Sequence, residues 1–386
     1  MKRLLVLVTA VAVLAVGLPA ASAAETNPLE TLNGFPAFAT MRTTHAPIEA
    51  SIMGATSLFY EIQVVNAYRL ESDLVSLGVS SPAGSVATFS GKPFERMFQP
   101  FAAGPSPLAL GPGTAAFIFV EVPFASPAAV PTTITNTLSL RVPKIGPKAF
   151  AVAQRPLAVD RSQPIVIEPP FRGTGWFAGS GPSNDSAHRR TYQYLDGQPY
   201  FAQRFAIDWV KGERVGDRWL FVHGDLHKNA NWYCYGTPLL AVADGVVVGV
   251  RHDLPDNVPL EKPLVAITKD TIGGNFVVLD IGHGRYAFYA HMQPNSARVK
   301  VGDHVRAGQV LGLLGNSGNS TGPHLHFHIV ESPSFLFSDG LPYAFRSFTG
   351  AQSTWNDDDP EAGATVSVPF KTYTNTMPSD GAIVNF

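Results

Sequence analysis

Gly312-Leu313-Leu314-Gly315-Asn316-Ser317-Gly318-Asn319-Ser320-Thr321-Gly322-Pro323-His324-Leu325-His326-Phe327-His328-Ile329-Val330 divides into two parts with different physics. As far as Pro323 the segment is rich in turn formers, with Gly at 312, 315, 318 and 322 and Asn or Ser between them, which suits neither a helix nor a long strand. From His324 onward polar and apolar residues alternate with period two, which predicts a strand. Residues i, i+2 and i+4 of a strand share a face, so His324, His326 and His328 line one side, roughly 6–7 Å between neighbours. Leu325, Phe327 and Ile329 point the other way, into a core. Imidazole is a common metal ligand and a general base near neutral pH. The chain has 11 histidines, and three on one face of one strand point to metal binding or proton transfer rather than to a decorated surface.

Ser320-Thr321-Gly322-Pro323-His324-Leu325-His326-Phe327 resembles the H-x-H signature of the lysostaphin-type, or LytM-type, zinc metallopeptidases, enzymes that cut peptide crosslinks in bacterial cell walls. Upstream, Tyr289-Ala290-His291-Met292 resembles the Y-A-H-L of that family. The likeness runs from about residue 203 to 329, about a third of the chain. Carried over residue by residue, it places His291 and His324 at the catalytic positions and Asp208 and His326 at metal-ligand positions. One position departs. Where the family reads H-x-G-x-D, this chain has Arg204-Phe205-Ala206-Ile207-Asp208. A guanidinium stays protonated and offers no lone pair, so Arg204 cannot be a ligand. Asp208 and His326 are one short of the three protein ligands expected of a catalytic zinc site. Candidates for the third are His328, on the same strand face as His326, and the loop histidines His188, His223 and His227. His328 is the preferred third ligand, and a degenerate site without zinc is the remaining alternative.

The resemblance implies an all-β protein with a LytM-type sheet domain over residues 165–348. It also implies a Zn2+ cofactor and a peptidoglycan peptide as substrate. Zinc in such a site polarises the scissile carbonyl and activates a water, while His291 and His324 move protons and stabilise the oxyanion. The expected function is that of an exported bacterial metallopeptidase hydrolysing peptide bonds in peptidoglycan. The alternative is a catalytically degenerate LytM-like domain that binds cell wall or activates another hydrolase.

The rest of the chain fits an extracytoplasmic setting. Lys2 and Arg3 precede an apolar run, and Ala21-Ser22-Ala23 offers a small-residue cleavage site, so residues 1–23 read as a signal peptide of a secreted or periplasmic protein. No later apolar stretch is long enough to span a bilayer, so no transmembrane segment is expected in the mature chain. Charged residues make up only 15%, and a formal net charge of −2 gives no case for nucleic-acid binding. A single cysteine, Cys234, rules out an intramolecular disulfide, and its aromatic neighbours favour a buried, inert thiol.

Residues 25–160 read as an immunoglobulin-like β-sandwich, with strands expected at 49–53, 58–65, 85–89, 116–122 and 133–142, and no cluster of residues able to carry chemistry. Residues 165–199 read as loops leading into the second domain, and 211–235 as an insertion over the site. Asp244-Gly245 reads as a hairpin turn with Gly at positive φ. Gly282-His283-Gly284 reads as the turn between the strands 275–280 and 286–291. Everything after Val330 reads as loop-like, with residues 349–386 a carboxy-terminal tail and Asp357-Asp358-Asp359-Pro360 a solvated acidic turn.

Overall fold

Alternation along Ala55–Asn66 turns Leu58, Tyr60, Ile62 and Val64 to one side, and all four are fully buried. Their strand is the centre of the first of two antiparallel sheets in a computed structural model that describes residues 39–355 and 361–386. It pairs with Ala39–Thr43, Ile48–Ile52 and Ala115–Phe124, the last of which also pairs with Phe98–Pro100. The second sheet runs Ala149–Ala153, Thr133–Arg141, Ser72–Ser81, Gly84–Ser90. Leu74, Leu77, Leu138 and Leu140 of this sheet join Leu58, Tyr60, Ile62 and Ile118 of the first in one buried cluster. The amino-terminal half is therefore a two-layer β structure. Every strand expected there is present, with ends shifted by a few residues. Ser72–Ser81 escapes the sequence reading because a bulge between Leu74 and Ser76 breaks its alternation. The expected signal segment and the acidic turn at 357–360 lie outside the described residues. Among the described residues no helix is long and apolar enough to cross a membrane.

The outward face of the first sheet is also buried. Phe59 and Glu61 alternate with the inward residues, yet both have no exposure, because the second half of the chain packs on them.

In that second half one sheet carries the site. Its neighbours run in the order Ala382–Asn385, Trp176–Gly179, Ile207–Lys211, Leu325–Val330, Tyr286–Met292, Asn275–Asp280, Gly245–Arg251, all antiparallel. Leu325, Phe327 and Ile329 enter the core as the period predicts. Gly282, His283 and Gly284, all at positive φ, make the expected turn between Asn275–Asp280 and Tyr286–Met292.

Three expectations fail. Asp244-Gly245 is no hairpin turn: Pro238–Leu240 pairs with Val310–Leu313, whereas Gly245–Arg251 pairs with Asn275–Asp280 and His304–Val305. Gly245 is needed for close approach instead, since a Cβ there would lie 2.4 Å from the Asp280 carbonyl oxygen. The segment 165–199 is not only loop, because Trp176–Gly179, four buried residues, sits inside the sheet. Nor is the tail loop-like. Tyr343–Thr354, Ala364–Val366, Lys371–Thr376 and Ala382–Asn385 are strands, and Ile383 and Val384 are core residues. These strands are short or interrupted by Gly and Ser, so local periodicity does not mark them; burial by partners distant in sequence does.

Candidate metal and catalytic site

Asp208 and His326 face one another directly across neighbouring strands, and directly opposed residues project on the same side of a sheet. The His326 Nδ1 lies 3.0 Å from Asp208 Oδ1. On the other flank of the same strand Ala290 opposes His326. The third member arrives from outside the sheet. His188 lies in the one-turn helix Ala187–Arg190, and its Nε2 is 3.3 Å from Asp208 Oδ2. His188, Asp208 and His326 place one ligand atom each within 4.8 Å of one another.

The bonds behind these atoms fix which nitrogens face the cluster. His188 Nδ1 donates to the Ser180 carbonyl at 2.9 Å, which leaves Nε2 as the nitrogen that faces Asp208. His326 turns its Nε2 away, towards His328 Nδ1 at 2.9 Å. Two imidazoles and a carboxylate, with the far side of each ring occupied, form a donor set suited to zinc. His328 thus stands behind the His326 ring and not beside Asp208; it is fully buried, and its Nε2 has no hydrogen-bond partner. Phe335 packs against both rings. His227 is exposed, and His223 stacks near Tyr233; neither belongs to the group. Arg204 is elsewhere too. It is 3% exposed, and its Nη2 is 2.7 Å from Glu61 Oε2 and 3.5 Å from Asp339 Oδ1.

His291 and His324 come together beside this cluster, their rings 4.6 Å apart. His291 sits where Tyr286–Met292 bulges against Asn275–Asp280, with φ +63°, a left-handed conformation that a non-glycine residue adopts at a cost. Its backbone N–H donates to the Gly273 carbonyl and its Nδ1 to the Ser317 carbonyl at 2.8 Å. Ser317 is held in turn, its hydroxyl donating to the Met292 carbonyl and accepting from the Asn275 N–H. The turn that carries Ser317 requires glycine at 318, where φ is +75° and a Cβ would lie 2.3 Å from the Gly274 nitrogen. His324 Nδ1 faces the Gly322 carbonyl at 2.9 Å, and its Nε2 is 3.4 Å from Asp208 Oδ1. Each catalytic candidate therefore has one nitrogen tied to backbone and the other turned to the cleft.

Charge separates the two. Burial and the neighbouring His324 and His326 hold His291 well below the usual imidazole range, so it stays neutral. For His324 burial works downward, but the Asp208 carboxylate and its hydrogen bond outweigh it and raise the ring. His326 is pushed down to about 4, by burial above all. Burial would raise the Asp208 carboxyl, yet the imidazoles of His188, His324 and His326 hold it well below the usual range.

A recess opens on each side of this centre, and both reach Asp208, Thr321 and His324. One is walled by aromatic rings, Phe177, Phe221, Trp232 and Trp355; the other is more polar, with Gln203, Asn319 and Ser320. Cys234 is fully buried, its thiol donating to the Pro323 carbonyl, and burial pushes it up to about 12. It is a packing residue.

Comparison with known proteins finds relatives over part of the chain. Residues 227–335 match the model of peptidase family M23, a span that includes His291, His324, His326 and His328 but stops short of His188 and Asp208. Glycyl-glycine endopeptidase ALE-1 of Staphylococcus capitis is 29% identical over 171 residues, 43% of this chain and 42% of that protein. Peptidoglycan DD-endopeptidase ShyA of Vibrio cholerae is 37% identical over 95 residues, 25% of this chain and 18% of its own. This chain thus spans less than half the length of these curated relatives. Among solved structures, the catalytic domain of lysostaphin from Staphylococcus simulans matches with a TM-score of 0.24 and 24% identity, covering 43% of this chain and 88% of that one.

Proposed function

We propose that this chain, which carries an M23-type peptidase domain over residues 227–335, is an exported bacterial zinc endopeptidase that hydrolyses peptide bonds in peptidoglycan. His188, Asp208 and His326 would hold the metal, and His328 supports His326 from behind. Zinc bound there supplies Lewis-acid polarisation of the scissile carbonyl and activation of a water. The chain's own residues account for the remainder. His291, kept neutral and anchored through Nδ1 to Ser317, presents Nε2 to the cleft as the proton acceptor. His324, tied through Nδ1 to the Gly322 carbonyl with Nε2 beside Asp208 at the cleft, is the partner that donates to the developing oxyanion and returns a proton to the leaving amine. A peptide lying along the two recesses passes over Asp208 and His324, which line both. Arg204 stands at the family's first ligand position, and His188 takes over its role from another segment. The amino-terminal β structure is read as an immunoglobulin-like sandwich, and residues 1–23 as its export signal.

The observation that carries this reading is the convergence of three ligand atoms within 4.8 Å beside two tethered imidazoles. Elemental analysis of purified protein should find about one zinc per chain, and incubation with peptidoglycan should release new amino termini that vanish in His324→Ala. Protein without zinc or cleavage, yet retained on cell walls, would favour the alternative of a degenerate binding domain.

A further inference from the structure

His188 is held by a helix of four residues, Ala187–Arg190, too short to persist without outside support. Much of that support comes from the other half of the chain. Arg189 is fully buried, and one of its Nη atoms pairs with Glu61, itself fully buried on the outer face of the amino-terminal sheet. Its other Nη donates to the carbonyls of Tyr60 at 3.2 Å and Val120 at 3.4 Å, and the guanidinium lies over the Phe119 ring. On either side of this anchor Asn184 donates to the Phe119 carbonyl at 3.0 Å, and Arg190 reaches the carbonyl of Arg96. The peptidase half contributes the Ser180 carbonyl, which receives His188 Nδ1 and the Ser186 hydroxyl. Glu61 has a second partner: its Oε2 is 2.7 Å from Arg204, four residues before Asp208. One buried carboxylate therefore ties together the segments that carry two of the three ligands.

We propose that the amino-terminal half is a working part of the zinc site: Glu61, acting through Arg189 and Arg204, is a positioning residue that sets His188 against Asp208 and His326. This rests on the metal-site reading above and deepens it, since the helix that carries the third ligand is anchored across the interface between the two halves. The anchoring bonds are made by planar guanidinium groups to fixed carbonyls and a fixed carboxylate, a geometry that allows little drift. His188 would otherwise sample the cleft, and a site with two fixed ligands binds zinc weakly.

The test uses the full chain and zinc itself, with affinity read by competition against a chromophoric chelator. Asn184→Ala/Arg190→Ala loosens the helix without stranding a buried charge, and Glu61→Gln removes the central carboxylate. Each is expected to weaken zinc binding by about 10- to 100-fold, with the circular-dichroism spectrum retained and hydrolysis restored by excess zinc. A merely structural role would lower the melting temperature of the metal-free variant while leaving zinc affinity of the folded protein unchanged. The double variant carries the test if Glu61→Gln does not fold. Wild-type zinc affinity in the folded double variant would overturn the role of the amino-terminal half. The two readings fail separately: a wild-type chain that binds no zinc, or one whose affinity is unchanged by His188→Ala, would overturn the ligand assignment itself.

Discussion

Replacing His328 separates two roles for that residue on a scale that a titration can resolve. In the structure its Nδ1 is 2.9 Å from His326 Nε2, and both rings are buried. With a metal on His326 Nδ1, the proton of the neutral ring must sit on Nε2, and His328 is its acceptor. In the metal-free chain His326 can instead carry its proton on Nδ1 and donate to Asp208 Oδ1 at 3.0 Å. His328→Ala therefore leaves a buried donor without a partner chiefly in the metal-loaded state, a cost of about 1–3 kcal/mol. That corresponds to roughly 5- to 150-fold in zinc affinity at about 1.4 kcal/mol per tenfold. His328→Gln keeps an acceptor and should recover part of the loss. His326→Ala, by contrast, removes one of the proposed ligands and should reduce binding below detection. The assay is chelator competition on metal-free protein at neutral pH, with a thermal melt to confirm folding. If His328→Ala loses zinc as completely as His326→Ala, His328 is itself a ligand; if it loses none, the bond to His326 has no bearing on the metal.

Further outcomes follow from the same geometry. His291→Ala and His324→Ala should each abolish hydrolysis while zinc stays bound, as measured by elemental analysis after gel filtration; loss of metal from either would make that residue a ligand. In the metal-free chain His326 stays neutral down to about pH 4, whereas in the unfolded chain it takes up a proton near 6.5. Stability should therefore fall as pH drops from 6.5 to 4, by about 3 kcal/mol from this residue. Buried His291 and His328 act in the same direction and His324 against it, so denaturant midpoints that do not change between pH 7 and 4.5 in chelator would refute this. Deleting residues 382–386 removes a strand paired on both sides, with Ile383 and Val384 fully buried, and should leave insoluble or protease-sensitive protein. Cys234 should not react with a thiol reagent until the chain is unfolded, since it is buried and its thiolate disfavoured.

The sequence by itself determined what strand period and short-range chemistry can specify. The alternation from His324 to Ile329 announces its strand, its apolar face and the imidazoles on the other. His291 and Asp208 are legible through family resemblance, and Arg204 is excluded as a ligand by the chemistry of guanidinium alone. Tertiary structure decided the rest. Side chains at i and i+2 share a face, but sharing a face does not bring their ring nitrogens to one point; Asp208, opposite His326 in the register, turns that ring's Nδ1 towards the cleft and leaves Nε2 for His328. His188 is one of several loop histidines in sequence, and only the helix pinned by Arg189 brings it to Asp208. Glu61 carries no signal at all, because it looks like an ordinary outward-facing residue of an alternating strand. It is buried by a second layer whose nearest contributing residue is more than a hundred positions away in the chain. A one-dimensional pattern reports which face of an element is apolar, and it does not report which distant element covers the other face.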